Sequence, residues 1–575
     1  MTTEWASLGL EDLDAFILET MEIWKVPGLA VAIVRDGQVV HARGYGWRDL
    51  KDRRPVTPAT LFAIGSITKS FTVGTLAALA QQGKLDWDTP VREYLPDFRL
   101  HDPVATERMT PRDLVTHRSG LPRHDGVWYN APLSREELYH RLRYLEPSRD
   151  FRSAYQYNNL MYMTAGYLAE RLSGRSWEEC VRQMLFTPLG MNRANFSVND
   201  SQRTEDYALP YQLDEAEEAR EIAFRVIDAV GPAGSINASI EDMIPYLRLH
   251  LNGGKHEETQ VLAERDVKEM QSPQMPIPDS LPFPELGHVQ YGMGLAIGSY
   301  RGHKRVSHGG GIDGFTAEFT FMPQDRIGMV LLSNMYGSSL PAALALSLYD
   351  RLLGLEPIPW SARFKEMEAK GKAAEEAAKA QGLTPRKPGT QPAHPLAAYA
   401  GEYEHPAYGT VTITPDGDAL TISHHGFTSP LRHFHYEVFE TPPDKLNRLE
   451  RLKFQFHTDL DGEVGSLSVP FEPNVKEIVF SRVADRSMRE RAFLEPFAGE
   501  YEIGGITIAV ALQGDGTLLL IGPGQPPREL MPVRGTKFDV QGLSGFSVEF
   551  QKDPAGAVTG VALYQPNGNY LATKR

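Results

Sequence analysis

The sequence predicts an α+β domain of the α/β/α sandwich kind, followed by two small antiparallel β-barrels. Three observations lead there. Strand patterns stand at both ends of residues 1–355, with helical patterns between them. A segment rich in Ala, Glu and Lys, then in Pro, follows. Beyond it a β-rich stretch occurs twice, 98 residues apart (Gly401 and Gly499). The expected domains are 1–355, a helical and Pro-rich linker over 356–393, and barrels over 394–485 and 486–575. A chain of 575 residues suits two to four domains at roughly 100–200 residues each.

The opening strands are read from "GLAVAIVRDGQVVHARGYG", an apolar run, an Asp36-Gly37 turn and a second strand. Two more flank a Pro-containing turn in "AEFTFMPQDRIGMVLLSN". Strands at both ends of a domain with helices between are the pattern of a sheet covered by helices. "RFKEMEAKGKAAEEAAKAQG" has little apolar face and reads as a solvated helix; "LTPRKPGTQPAHP", with four prolines, reads as extended linker. "LAAYAGEYE" from Leu396 and "LEPFAGEYE" from Leu494 then pair Tyr399 with Phe497 and Tyr403 with Tyr501. Phe456, Asp459, Gly462, Val464 and Leu467 match Phe550, Asp553, Gly556, Val558 and Val561 in the same order. Two collinear matches describe two copies of one short-stranded module with Asp-Gly turns, the pattern of a small antiparallel barrel.

Acidic residues outnumber basic ones, 74 to 59, for a net charge of −15, which argues against nucleic-acid or anionic-membrane partners. A single cysteine, Cys180, excludes an intramolecular disulfide and a Cys-rich zinc site; in "SWEECVRQML" it reads as a structural thiol on a helix. The start "MTTEWASLGLEDLDAF" lacks the basic-then-apolar order of a secretory leader, and no run reaches ~20 apolar residues. A cytoplasmic location is expected, with neither metal nor cofactor.

Three segments carry candidate chemistry. In "GSITKS", Ser66 starts a helix whose apolar face holds Val73, Leu76 and Ala80. Helix capping explains such a serine by itself. Lys69 shares its face, three residues on, and becomes a base if burial or a nearby cation lowers its pKa from ~10.4. Ser-x-x-Lys arises about twice by chance in a chain of this length and average composition, so its one occurrence decides little. In "YQYNNLMYMTAGYLAERLSG", Tyr157 and Asn159 lie at a helix start, as packing and capping groups or as proton carrier and amide partner. In "RVSHGGGIDGF", His308 precedes three glycines, either a solvated turn or a backbone that substrate approaches closely.

The order Ser-x-x-Lys, Tyr-x-Asn, His-x-Gly resembles the penicillin-recognising serine hydrolases: class C β-lactamases, DD-peptidases, family VIII esterases and D-aminopeptidases. The resemblance runs over about residues 20–350 and includes "TPATLFAIGSITKS", "TPRDLVTHRSGLP" and "PAGSINASIEDM". It implies a β-lactamase-like fold and an acyl-enzyme on Ser66, with Lys69 as basic partner, Tyr157 relaying a proton, and His308 of the third element as a further catalytic residue. It also implies Asn159, Gly309 and Gly310 as substrate-binding positions, and backbone N–H groups of Ser66 and Gly311 as the oxyanion hole. The third element departs from Lys-Thr-Gly or Lys-Ser-Gly, so the cation and hydroxyl that hold a penicillin carboxylate are missing. His-x-Gly and the paired, lipocalin-like barrels favour short peptides or amino-acid amides, as in D-aminopeptidases. A carboxylesterase, a weak β-lactamase and a non-catalytic sensor or binding protein stay open, as does a homo-oligomer. No Gly-x-Ser-x-Gly occurs, "HEETQ" lacks a second zincin His, and His424, His425, His433 and His435 read as barrel side chains.

Overall fold

Gly28–Arg35 (β1) is apolar almost throughout, and a strand with no polar face has to be covered on both sides. It lies inside a nine-stranded antiparallel sheet in the computed structural model, which describes residues 12–278, 282–382, 385–444, 447–460 and 462–575. The first eleven residues, part of the stretch read above for a leader, lie outside the described residues. The chain divides into two units. The first is Met1–Pro385 with the short segments Pro406–Tyr408 and Phe471–Glu477; the second is Arg386–His405, Gly409–Pro470 and Ile478–Arg575.

In the first unit β1 pairs with Gln38–Asp49 (β2) through the Asp36-Gly37 turn, and β2 with Arg54–Pro55 (β3). The other strands are Met275–Pro276 (β4), Gln290–Tyr291 (β5), Ala296–Tyr300 (β6), His303–Ile312 (β7), Phe315–Met322 (β8) and Ile327–Ser333 (β9). Their order is β4-β5-β6-β7-β8-β9-β1-β2-β3, so both ends of the domain meet where β9 pairs with β1, Leu29 opposite Ser333. Leu13–Trp24 (α1) buries Leu13, Ile17, Met21 and Trp24, a three-to-four-residue repeat that makes one apolar stripe. They share a core with Leu29, Val31 and Ile33 of β1, with β9 and with Leu340–Leu353. Trp360 and Phe364 join that core, so the Glu/Lys-rich helix Trp360–Gly382 is anchored by its first turn, a correction to its reading as wholly solvated. Trp360 Nε1 donates to Tyr300 Oη at 2.9 Å.

Thr68–Gln81 (α2) departs from expectation. Every residue from Thr68 to Leu79 is buried, whereas Ala80 is half-buried, so there is no single apolar face. Small residues let neighbours close in: a Cβ on Gly74 would come within 3.2 Å of Leu185. Cys180 is buried on Trp177–Val181, its Sγ 3.0 Å from Ser173 Oγ.

The second unit holds two closed eight-stranded barrels, each an up-and-down meander, from Gly401–His405 to Ile478–Val483 and from Gly499–Ile503 to Gly568–Lys574. The repeat is physical. Tyr403 Oη donates to Tyr399 O at 2.8 Å, and Tyr501 Oη to Phe497 O at 2.7 Å. Phe456 packs on Tyr403 as Phe550 packs on Tyr501, and Arg482 and Lys574 stand over the same two tyrosine rings. A β-bulge between His433 and His435 shifts the strand register there, so the two do not simply alternate onto one face. Among the described residues no three His, Cys, Asp or Glu groups converge as a metal site requires.

Tyr403→Phe and Tyr501→Phe each leave a carbonyl without its buried donor. Each is expected to cost about 1 kcal/mol, additively because they lie in different barrels. Urea unfolding of the single and double variants checks this; unchanged midpoints would refute it.

Candidate active site

The start of α2 is clamped from both sides. Phe62–Ala63 pairs with Asn237–Ala238, the Ile64 N–H donates to Ile236 O at 3.0 Å, and the Ile236 N–H donates to Thr68 Oγ1 at 3.1 Å. Ser66 sits in a 3-10 turn, Gly65–Ile67, that runs into α2. Its side chain caps neither helix; it faces Lys69 instead, 3.0 Å from Nζ. The capping explanation of Ser66 therefore falls.

Lys69 is fully buried, and its Nζ has two further acceptors, Asn159 Oδ1 at 2.8 Å and Ala233 O at 2.7 Å. Burial first, then the Arg123 guanidinium, push it well below the ordinary lysine value, with Asp125 opposing. The geometry accommodates both protonation states. An ammonium donates to all three oxygens; a neutral amine donates to the amide and the carbonyl, leaving its lone pair for the Ser66 O–H.

The second segment ends on Asn159–Ser173 (α3). Asn158, not Asn159, is the N-cap, accepting from the Met161 N–H at 2.9 Å. Its Nδ2 donates to Leu121 O and Pro122 O, tying "SGLPR" to the helix start. Asn159, the first helical residue, is free to face Lys69 with Oδ1 and Asp125 with Nδ2, 3.2 Å from Oδ1. Burial raises Tyr157, while a hydrogen bond with Ser66 pulls the other way, so the phenol stays protonated at neutral pH. Lys69 Nζ stands 4.7 Å from its ring centroid.

The third segment is strand, not a solvated turn. His308 lies on β7 and is 7% exposed. The glycines that follow permit direct backbone contact: a Cβ on Gly310 would fall 2.0 Å from the Ile64 carbonyl oxygen. Gly65, at φ +51°, brings its own Cα to Gly311, where a Cβ would be 2.8 Å from the nitrogen. The two-residue Asp313-Gly314 turn makes Ile312 and Phe315 a hydrogen-bonded pair, so Gly311 opposite Thr316 is a non-bonded one. The Gly311 N–H therefore points away from β8, on the side where β6 has already ended at the Ala296–Ser307 pair. The Ser66 N–H, at a helix start, has no intrahelical acceptor.

His308 Nδ1 is 2.6 Å from Gly309 O, which can only accept, so Nδ1 carries the proton and Nε2 accepts from Tyr291 Oη at 3.0 Å. Burial above all depresses His308 to about 3, and the imidazole is neutral with both nitrogens engaged. Sequence reasoning missed Tyr291, Ala233, Arg123, Asp125 and His117. His117 accepts from the Asn158 N–H through Nδ1, leaving Nε2–H against the Tyr157 and Tyr291 rings, whose centroids are 4.3 and 4.5 Å away. No signal in the sequence singles these out except the position of His117 and Ala233 inside stretches that carry the resemblance, and of Arg123 directly after the one that holds His117.

Fold and site together define a serine hydrolase of the Ser-x-x-Lys type. The chain belongs to the Beta-lactamase family, whose model matches residues 13–349. A second model, a domain of unknown function (DUF3471), matches residues 385–482. The chain is 31% identical to the unguisins hydrolase of Aspergillus campestris (strain IBT 28561), over 71% of this chain and 78% of that protein. It is 28% identical to a D-aminopeptidase of Cereibacter sphaeroides (strain KD131 / KCTC 12085), over 63% and 68%. Among solved structures, the octameric penicillin-binding protein homologue from Pyrococcus abyssi superposes with a TM-score of 0.53 at 24% identity, covering 82% of this chain and all of that one. The D-amino acid amidase from Ochrobactrum anthropi SV3 does so at 0.50 and 23% identity, over 60% and 98%. Both structural likenesses concern the fold.

Two expectations follow. Gly310→Ala forces β7 off the start of α2, an overpacking cost of about 1–3 kcal/mol. Thermal melting and turnover should both fall, and an unperturbed variant would contradict the contact. Buried His308 and His250 both sit near 3, against about 6.5 when unfolded. The unfolded chain then binds more protons between pH 3 and 6.5, so stability is full above about 6.5 and is lost as pH falls. His250→Phe should shallow that slope of Tm against pH; a slope unchanged by the substitution would refute it.

Proposed function

We propose that this chain hydrolyses short peptides or amino-acid amides through an acyl-enzyme on Ser66, in the manner of a D-aminopeptidase. The observation that carries the reading is the buried Lys69, whose amine, held by Asn159 Oδ1 and Ala233 O, directs its third position at Ser66 Oγ. Neutral Lys69 takes the Ser66 proton as Oγ attacks the substrate carbonyl. The N–H groups of Ser66 and Gly311 receive the developing oxyanion. The C–N bond then breaks, and the leaving amine takes its proton from Tyr157, which is reprotonated by the Lys69 ammonium. Water, deprotonated by the same groups, cleaves the ester and restores Ser66. Asn159 and the backbone of Gly309 hold the acyl chain, whereas Gly310, paired with Ala317, turns its own N–H and C=O to β8 and serves by letting β7 close on Ile64. His308, with both nitrogens engaged, keeps β7 in place and adds no charge, so it acts as a positioning group.

Support for the peptide and amide class comes from the relatives named D-aminopeptidase and unguisins hydrolase, and from a third element without the cation of penicillin-binding sites. Carboxylester hydrolysis is the second reading, because an acyl-enzyme of this design accepts esters whenever the acyl group fits.

A fluorescent fluorophosphonate should label the wild-type chain and not Ser66→Ala, with activity falling by four orders of magnitude or more. D- and L-aminoacyl p-nitroanilides, free and N-blocked, beside short-chain esters separate the readings. A requirement for the free amine supports the aminopeptidase; indifference to it sinks that reading. The acid limb of the pH–rate profile should lie well below pH 10.5, since activity rises as Lys69 loses its proton.

A further inference from the structure

The cation missing from the third element has a counterpart elsewhere in the first unit. Arg123 is half-exposed, its side chain 52% accessible, and its guanidinium carbon stands 5.2 Å from the centroid of the Tyr157 ring. Its Nε donates to Asp125 Oδ2 at 2.7 Å. Asp125 is fully used by the protein, because Oδ1 accepts from Asn159 Nδ2 and from Trp128 Nε1 at 3.0 Å. Neither Nη of Arg123 has a protein acceptor among the described residues. The backbone carrying it is held firmly. His124, at φ +47° and buried, donates its N–H to Glu472 Oε2 at 2.9 Å and sets Nδ1 2.7 Å from Tyr408 Oη, both in segments of the same unit. Its Nε2 lies 2.9 Å from Glu146 O.

A guanidinium fixed at Nε, open at both Nη atoms and laid over an aromatic ring is built to grip a carboxylate end-on. Its position says which carboxylate. In the proposed mechanism the leaving amine is protonated at Tyr157. If that amine belongs to an amino acid, its α-carboxylate carbon lies two bonds away, about 2.5 Å from the nitrogen. We propose that Arg123 binds the α-carboxylate of the leaving residue, so that the substrate is a short peptide cleaved next to its free C-terminal residue. The inference rests on the acyl-enzyme reading above and adds the chemistry of the leaving side. On a chain of net charge −15 an anionic substrate gains nothing from the overall field, and such a local cation is what admits it.

The test compares an aminoacyl-alanine carrying a free carboxylate with the same compound as its alaninamide, each in L and D forms, beside an aminoacyl p-nitroanilide. Wild type should favour the acid over the amide by about 10- to 100-fold in kcat/KM, the range of a charge-assisted hydrogen bond. Arg123→Gln should bring that ratio close to one, and Arg123→Lys should restore part of it. Reading the ratio cancels any effect of Arg123 on Lys69, which acts on both substrates alike. A wild-type ratio of one or less, or a ratio that survives Arg123→Gln, overturns the assignment. If the anilide is cleaved and the dipeptide pair is not discriminated, Arg123 alone is misassigned. If wild type cleaves none of the compounds, the hydrolase reading fails first and the assignment with it.

Discussion

A lysine ammonium with no exposed surface is the constraint around which the first unit is organised. Moving such a charge out of water costs several kcal/mol unless the charge is neutralised or fully hydrogen-bonded. Here both remedies are available. Three oxygens surround Lys69 Nζ, and burial together with Arg123 favours the uncharged amine. The oxygens come from three distant parts of the chain: Ser66 before α2, Asn159 at the start of α3 and Ala233 in the Asp228–Ala233 turn. Their convergence is what the surrounding packing has to secure.

That packing explains residues which look unremarkable in the sequence. Gly310 and Gly65 let a strand and a helix start meet backbone to backbone, which brings the Gly311 nitrogen against Gly65, the residue before Ser66. Asp125 holds Asn159 with one oxygen and Arg123 with the other, so the amide orientation and the position of the cation are coupled. His117, kept neutral by burial, fills the space beneath Tyr157 without adding a charge. The site is thus a small set of polar groups, each assigned one donor or acceptor role by its neighbours.

The architecture was legible because it rests on local patterns. The apolar run of β1, the Asp36-Gly37 turn and the 98-residue repeat each correspond to a structure that a few consecutive residues dictate. Ser66, Lys69, Tyr157 and Asn159 were legible for the same reason, since each pair shares one helix start. What local pattern could not supply was anything set by tertiary convergence. The carbonyl of Ala233 carries no side-chain signature. Tyr291 meets His308 only because β5 and β7 lie in one sheet. The face of α2 was misread because helical periodicity assumes solvent on one side, and α2 has protein on all sides. The capping alternative for Asn159 stayed open in the sequence because Asn158, the actual N-cap, is the same residue type one place earlier.

The central claim is that Lys69 is a neutral amine at the pH where the protein works. Chain-wide labelling of lysine with 13C at Cε and a pH titration by NMR reads it directly, with Lys69→Met assigning the resonance. The account predicts one lysine titrating well below 10.5 whose signal disappears in that variant. If the signal lost in Lys69→Met instead titrates near 10.5 with the solvent-exposed lysines, Lys69 is a standing cation and the account is wrong.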